Sequence, residues 1–392
     1  MAKNKCPWCG NNPVPHFLNW YFESINVAFT PIRKFLLYNK LTVRLKHLAI
    51  RYCLGNRLVD FCAGIGALTF QKNRAKCGVP RAQVLWEEAE HRGINFSELL
   101  LFGRPFDTYM AEKNGTAIVF TGLPRPAFYD NSVLDTMDDK GEFQKVMRKA
   151  GLPTPAGGST AIFSGALNIF RSIKKPVIVK PRTGSRGRHS TTFIYNEAEL
   201  RNAFSVAKQL CFWVIVQEQL FGPVYRATVI NFKTQGVLRG DSPSVTGDGR
   251  HTVAELVAKK NSALHAGVRD IVLDDNSRIF LSRQGLGENA LVRQGQIVTL
   301  SEKIGVRYGG SSSEDYAICH PDNFLLFEQA AKALCDPIVG FDFIIEDISK
   351  SYKEQKTGFI EANSLPFINL HHDPLLGTPR NVAATVWDLV GF

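Results

Sequence analysis

The 392-residue sequence lacks several features that would place it in a special class. No apolar run reaches bilayer length: the longest, Leu58 to Phe70, contains Asp60 and stops well short of the roughly 20 residues a spanning helix needs. Eight cysteines are too few and too scattered for a disulfide scaffold, so a reducing cytoplasm is the expected compartment. The polar stretch from Met1 to Cys9 leads into no apolar segment, and no signal peptide is expected. Glycine and proline, 32 and 19, stand near ordinary usage, and 44% of the residues are apolar, which excludes collagen-like, low-complexity and disordered classes. Acid is scarce at one end only. Residues 1–81 hold 13 Lys and Arg against 2 Asp and Glu, which accounts for the whole formal charge of +11; the remainder balances at 34 against 34.

From about Asp135 onward helical spacing alternates with short β-rich runs, as in an α/β or α+β chain. Helices are predicted over 138–150, 197–209, 253–261 and 324–334, and strands over 176–180, 191–195, 212–217, 225–231, 296–300, 340–345 and 357–361. The organisation expected is a basic, mainly helical region 1–81, a linker or preceding segment 82–134, and one domain over 135–392.

Three features of that domain share one chemistry. In Lys180 to His189, Gly184 and Gly187 free the backbone to approach an anion, and Lys180, Arg182, Arg186 and Arg188 supply charge. Such a loop suits a triphosphate, although glycine turns with arginines also occur as ordinary turns, and no Walker lysine follows. Asp342 on one strand, with Glu361 and Asn363 two residues apart on the next, places three oxygen ligands on one sheet face. Hard oxygen donors suit Mg²⁺ or Mn²⁺ shared with phosphates; the bland alternative is a pair of strands with solvated acids. Glu218 ends a strand at a turn, where it either meets an adenine edge or is simply exposed.

The order of these pieces resembles the ATP-grasp superfamily, and within it the ATP-grasp module of the cyanophycin synthetases, also seen in fused glutathione-forming ligases. The resemblance runs from about Asp138 to Phe392. It rests on Asp138AspLys140 with the following GlyLeuProThrPro, Lys180 to Arg188, the Arg239 to Leu256 segment containing GlyAspGly and HisThr, and Gly309 to Asp315. His320Pro321, Asp342, Glu361AlaAsn363, His371 to Gly377 and Arg380 to Val382 continue in the same order.

The resemblance implies an α+β fold in which two subdomains clamp ATP. It implies that Lys140 and Lys180 hold the α- and β-phosphates, that the loop Gly184, Ser185, Gly187 covers the β- and γ-phosphates, and that Glu218 contacts adenine. Asp342, Glu361 and Asn363 would coordinate two Mg²⁺ or Mn²⁺ ions, Arg226 and Arg239 would face the transferring phosphoryl group or the tetrahedral intermediate, and Gly310, Ser311 and His371 would line the acceptor site. The activity implied is ATP-dependent joining of a carboxylate to an amine through an acyl phosphate, on amino acids or short peptides. The alternative is a nucleotide-binding protein with weakened turnover. Departures accompany the likeness: Val224 stands where many members carry an acid for the ribose, His189 replaces a third loop glycine, and Asn369 replaces an arginine. With no Mur-ligase-like half after Phe392, addition of a single unit is expected rather than polymerisation, and self-association is expected as well.

The basic end has no counterpart in that resemblance. Cys6 and Cys9 have the spacing of half a zinc site, which His16 or Cys53 and Cys62 could complete; no second CxxC exists, and a pair of free thiols is the favoured reading. A helix from Arg33 to Arg51 would line up Arg33, Lys40, Arg44 and Arg51. A solvated stripe is the default for such a line; an anionic membrane surface or an acidic protein partner are the sharper readings, and nucleic acid ranks last because no aromatics interleave it. Val59 to Gly66 is similar to one motif of S-adenosylmethionine-dependent cytosine methyltransferases, but an apolar helix or strand is the simpler reading.

Overall fold

The computed structural model describes residues 6, 8–9, 13–37, 54–126, 134–184, 187–264, 268–301 and 304–392. The N-terminal part supplies helices α1 (His16–Leu37) and α2 (Leu54–Gly64) and strand β1 (Leu68–Gln71). The segment expected to run as an apolar helix or strand over 59–66 is helical as far as Gly64 and turns at 65–66, although its Phe61 and Ile65 are exposed. Lys40, Arg44, Arg51 and Cys53 lie outside the described residues.

Residues 82–126 carry regular structure over most of their length, as a preceding segment and not as a linker. β1 continues through α3 (Pro80–His91) into β2 (Asn95–Leu101), β3 (Arg104–Lys113) and β4 (Thr116–Thr121), which form one antiparallel sheet in the order β1-β2-β3-β4. A boundary at residue 81 would cut β1 from its partner β2 and remove the first residues of α3. The physical reason is cover for apolar side chains. Trp86, Phe96 and Tyr109 pack with Trp387 of the C-terminal helix, whose indole Nε1 donates to the Leu85 carbonyl at 3.0 Å. Burial of a tryptophan of this kind contributes about 3–5 kcal/mol, so the 68–121 sheet with α3 and the C-terminal helix stabilise each other.

Two larger units follow. α4 (Leu134–Asp138) and α5 (Lys140–Lys149) come first in the chain but pack, through Met137, Phe143 and Met147, on the sheet of the second unit; β5 (Gly157–Thr160), α6 (Phe163–Ser172), β6 (Val177–Pro181), β7 (Thr191–Ile194), α7 (Glu197–Lys208) and β8 (Val214–Glu218) make the first. The sheet β5-β8-β6-β7 buries Val177, Val179, Val214 and Val216 against Phe170 of α6 and Leu200 of α7. The second unit is built from β9 (Val224–Ile230), β10 (Lys233–Gly240) and the antiparallel pair β11 (Ser244–Thr246) and β12 (Ile297–Thr299), between which run α8 (Val253–Asn261) and α9 (Asp275–Ser282). It continues through β13 (Ser312–Glu314), α10 (Pro321–Leu334), β14 (Ile338–Ile344), β15 (Gly358–Asn363), α11 (Asn369–His372), β16 (Leu376–Gly377) and α12 (Val382–Val390).

Its main sheet has the order β15-β14-β9-β10-β13-β16. Alternation divides that sheet: Tyr225, Ala227, Val229, Phe341 and Phe343 turn to a core shared with Phe143 of α5 and Phe327 of α10. The intervening residues Arg226, Thr228 and Asp342 turn to the other face. α8 opens with a capping box, in which Thr252 accepts from the Glu255 amide and Glu255 reaches back to Thr252. This explains the HisThrValAlaGlu segment as a helix start.

Candidate active site

Three adjacent strands set the charges of the site. In the antiparallel registers, Arg226 of β9 stands opposite Asp342 of β14, and Asp342 stands opposite Glu361 of β15. The guanidinium of Arg226 donates to both Asp342 oxygens, at 2.8 and 2.9 Å. Glu361 receives Lys140 at 2.9 Å. Lys140 opens α5 because Asp139 caps that helix, accepting from the amides of Gly141 and Glu142 at 2.8 and 3.1 Å. The helix packs on β15 through Phe143 against Phe359, which fixes where Lys140 emerges.

The other unit contributes Lys180 from β6. Its side chain is buried, and burial together with the charge of Lys140 pulls its ammonium down to about 8, while Glu361 and Asp342 oppose the shift. Burial would lower Lys140 too, but the Glu361 carboxylate raises it above the ordinary lysine range. Burial raises Asp342 more than Arg226 lowers it. Glu361 is held low because Lys140 and Lys180 outweigh its desolvation. Arg226 is raised, first by Asp342. Two lysines from two units thus converge on two carboxylates.

The donor set fits a hard divalent cation. Asp342, Glu361 and Asn363 offer oxygens on one sheet face, and the Asn363 side-chain amide keeps a buried nitrogen without a partner among the described residues. That nitrogen is a donor and cannot ligate a cation; the Asn363 ligand to a metal would be Oδ1, and the N–H group suits an anionic oxygen beside it.

The glycine loop behaves partly as read. Gly184 and Gly187 both hold positive φ, 67° and 77°, which ordinary side chains resist. Ser185 and Arg186 lie outside the described residues. Arg182 is not a free phosphate donor: it forks onto Asp139 at 2.7 and 2.8 Å and reaches Glu142 at 3.0 Å. It comes so close to Gly141 that a Cβ there would lie 2.7 Å from Nε. Its work is to join the loop strand to the helix that carries Lys140. That clamp was missed by sequence reasoning, although an Asp directly before Lys140 is a cap signal.

Other expected site residues fall elsewhere. The Glu218 carboxylate accepts from the Ala156 amide at 3.1 Å and Lys356 at 2.8 Å, so it is a paired strand end rather than an open acid. Arg239 is not with Arg226. In the β9/β10 register Arg226 faces Leu238, whereas Arg239 faces Tyr225, so Arg239 lies on the opposite side of the sheet and donates to Asp241 at 2.8 Å. Gly310 and Ser311 join Arg239 there: the Asp241 amide donates to the Ser311 carbonyl at 3.0 Å, and Gly310 packs on the Asp241 carbonyl. His371 lines no open site. It is fully buried, bonded through Nδ1 to Glu314 at 2.5 Å and through Nε2 to Thr228 at 2.7 Å, and it crosses Gly236 where a Cβ would have no room.

Two α+β units that present lysines across a carboxylate pair, with a glycine loop on one of them, define the ATP-grasp fold. The chain has the ATP-grasp fold and is similar in sequence to cyanophycin synthetase. A family model described as "Carbamoyl-phosphate synthase L chain, ATP binding domain" matches residues 139–222, from the Asp139 cap to the end of the β8 turn. Cyanophycin synthetase of Synechocystis sp. is 29% identical over 261 residues, covering 64% of this chain and 30% of that protein. The glutathione biosynthesis bifunctional protein GshAB of Enterococcus faecalis is 31% identical over 298 residues, covering 72% and 39%. The solved bifunctional glutathione synthetase from Pasteurella multocida shares the fold with a TM-score of 0.55, 24% identity and coverage of 79% of this chain and 43% of that one. The chain spans about a third of the length of the curated relatives it matches. No helix among the described residues is long and apolar enough to cross a membrane.

Proposed function

We propose that this chain is an ATP- and Mg²⁺-dependent ligase that joins a carboxylate to an amine, using amino acids or short peptides as substrates. The observation that carries the reading is the convergence of Lys140 and Lys180, from two units, on Asp342 and Glu361. In this reading the two lysines hold phosphate oxygens, and Gly184 and Gly187 let the loop backbone approach them. Arg226 holds Asp342 in place and faces the phosphoryl group. Mg²⁺, held by Asp342, Glu361 and Asn363, would supply charge neutralisation on the phosphates.

The chain's own contribution is alignment and charge, since phosphoryl transfer needs little covalent help. A carboxylate oxygen attacks the γ-phosphorus and ADP leaves; the amine then attacks the acyl carbon, inorganic phosphate leaves, and the amine proton goes to solvent. The test is phosphate release across pairs of amino acids and dipeptides, with mass spectrometry of the products. A product lighter than its summed reactants by one water supports ligation. Hydrolysis or binding of ATP with no joined product would instead favour a nucleotide-binding protein, a reading that the closed Arg226–Asp342 and Lys140–Glu361 pairs also suit.

A further inference from the structure

The N-terminal segment is seated on the unit that carries β6 and β7. Asn19 of α1 donates to the Leu210 carbonyl at 3.0 Å, the Phe212 amide donates to Ser24 Oγ at 2.9 Å, and Trp20 stands edge-on to Phe212. Glu23 packs directly on Gly184. At this seam four side chains with soft or borderline donor atoms meet. Cys9 Sγ lies 3.1 Å from His16 Nε2 and 3.4 Å from His189 Nε2, and Cys6 Sγ lies 3.5 Å from His189 Nε2. All four ligand atoms fall within 4.8 Å of one another. Cys9 and His189 are each 1% exposed.

Two thiols and two imidazoles have little to offer one another as hydrogen-bonding partners, because a thiol is a poor donor and a poor acceptor. Around a tetrahedral zinc ion, with Zn–S about 2.3 Å and Zn–N about 2.0–2.1 Å, the sulfur-to-nitrogen edge is about 3.5 Å. The three observed sulfur–nitrogen separations reach or nearly reach that edge. An independent observation concerns the histidine. His189 Nδ1 lies 2.8 Å from the Val206 carbonyl, which can only accept, so Nδ1 carries the proton and Nε2 turns its lone pair to the two sulfurs. Metal-ligating histidines are oriented in this way by their second nitrogen.

The backbone agrees. The Cys9 amide donates to the Cys6 carbonyl at 3.2 Å, a turn that brings both sulfurs to one side. His189 adopts φ 53°, rare for a residue with a side chain, and its amide donates to the Trp8 carbonyl at 3.3 Å. A non-glycine residue held in that conformation at a loop end, with its ring buried among sulfurs, indicates that the ring itself has a task.

We propose that Cys6, Cys9, His16 and His189 bind one zinc ion in a closed, four-ligand structural site that fastens the N-terminal segment to the end of the glycine loop. Cys6 and Cys9 bind as thiolates, and their two protons pass to solvent. The sulfur donors exclude Mg²⁺ and Ca²⁺, and a tetrahedral S₂N₂ set suits zinc. Four protein ligands leave no open position for chemistry. The favoured reading of Cys6 and Cys9 as free thiols is thereby replaced: His16 joins them as one of the weighed partners, Cys62 stands outside the group, and the fourth ligand comes from His189, far along the chain.

The test uses the full chain under reducing conditions. Metal analysis after dialysis is expected to give one zinc per chain. The Co²⁺-loaded protein is expected to show thiolate-to-cobalt charge transfer with the visible bands of a tetrahedral site. Cys9→Ser and His189→Ala should each lose at least tenfold in zinc affinity by chelator competition, and Cys335→Ser, at an exposed cysteine, should keep the full stoichiometry. A wild-type chain that takes up no zinc, or whose cobalt spectrum lacks the thiolate bands, overturns the proposal whether or not the variants fold. Full zinc retention in a Cys6→Ser, Cys9→Ser double variant overturns it as well. None of these readouts depends on ligase activity, so failure of the zinc site and failure of the ligase reading are separable.

Discussion

The two faces of the six-stranded sheet hold their charges by different means. On the cleft face each charge is set by partners from distant parts of the chain: Arg226 and Asp342 from neighbouring strands, Glu361 from a third, Lys140 from a helix and Lys180 from the other unit. On the opposite face Arg239 pairs with Asp241, two residues along the same strand exit, and both side chains are more than a third or nearly a third exposed, at 39% and 33%. The first arrangement is global and more deeply set, with side-chain exposures of 10–28% for Lys140, Arg226, Asp342 and Glu361, so each member feels the loss of any other. The second is local and solvated, and exposed pairs of that kind contribute about 0–1 kcal/mol. Position on the same sheet therefore says little about function; the face decides it.

The largest effect is expected at the global cluster. Glu361→Gln keeps the shape of the side chain and one oxygen, but removes the charge that Lys140 meets and that would bind Mg²⁺. Turnover, read as ATP-dependent phosphate release, should fall on the order of 10²–10³-fold. A loss below tenfold would mean that the cleft face is not where phosphoryl chemistry happens. Next comes a change in stability rather than rate. His371→Ala leaves Glu314 and Thr228 buried without their partner, and opens space beside Gly236. The cost should be about 2–3 kcal/mol, seen as a lower denaturation midpoint with ATP binding retained in the folded protein. An unchanged midpoint together with lost ligation would return His371 to the acceptor site.

How much of this was legible in the sequence follows from the range of each contact. Asp342, Glu361 and Asn363 could be read from strand alternation and Lys180 from its glycine loop, both local signals, whereas Lys140 came from the family resemblance; the structure groups Lys140 and Lys180 with Asp342 and Glu361. Arg239 was set beside Arg226 by resemblance alone, and the structure puts it on the other face, because one residue of slip moves a side chain across the sheet. The β9/β10 register shifts between Thr234 and Gly236, an irregularity that no spacing rule exposes. The sheet between residues 68 and 121 was overlooked because its core is completed by Trp387, near the other end of the chain. His189 was noticed only as a departure from a glycine pattern; its partners Cys6 and Cys9 are over 180 positions away, at separations of 183 and 180. Contacts of that range leave no local pattern.

A smaller effect should appear with pH, and its sign follows from Lys180. Burial lowers its ammonium to about 8, so the charge that would meet phosphate is present at pH 7 and is lost as pH rises through 8. ATP affinity measured by calorimetry should therefore weaken up to about tenfold between pH 7 and 9. Stability runs the opposite way. Between pH 8 and the ordinary lysine range the unfolded chain binds more protons than the folded one, so unfolding free energy should rise with pH across that window as far as Lys180 governs it. Lys180→Arg keeps its charge throughout and should flatten the affinity profile. A profile equally steep in that variant would assign the titration to another group.

The smallest effect is expected on the other face, and there the comparison is most exposed to refutation. If Arg239 only pairs with Asp241 beside Gly310 and Ser311, Arg239→Ala should change turnover by less than about threefold, with ATP affinity and denaturation midpoint nearly unchanged. If Arg239 instead faces the transferring phosphoryl group in the working enzyme, the same substitution should cost on the order of a hundredfold in turnover while sparing ATP binding. The sheet would then have to present β10 differently once substrates bind. Asp241→Asn separates these outcomes: a bystander pair gives the same small change from either partner. An arginine that leaves Asp241 to reach the substrate gives a large loss from Arg239→Ala and none, or a gain, from freeing it with Asp241→Asn.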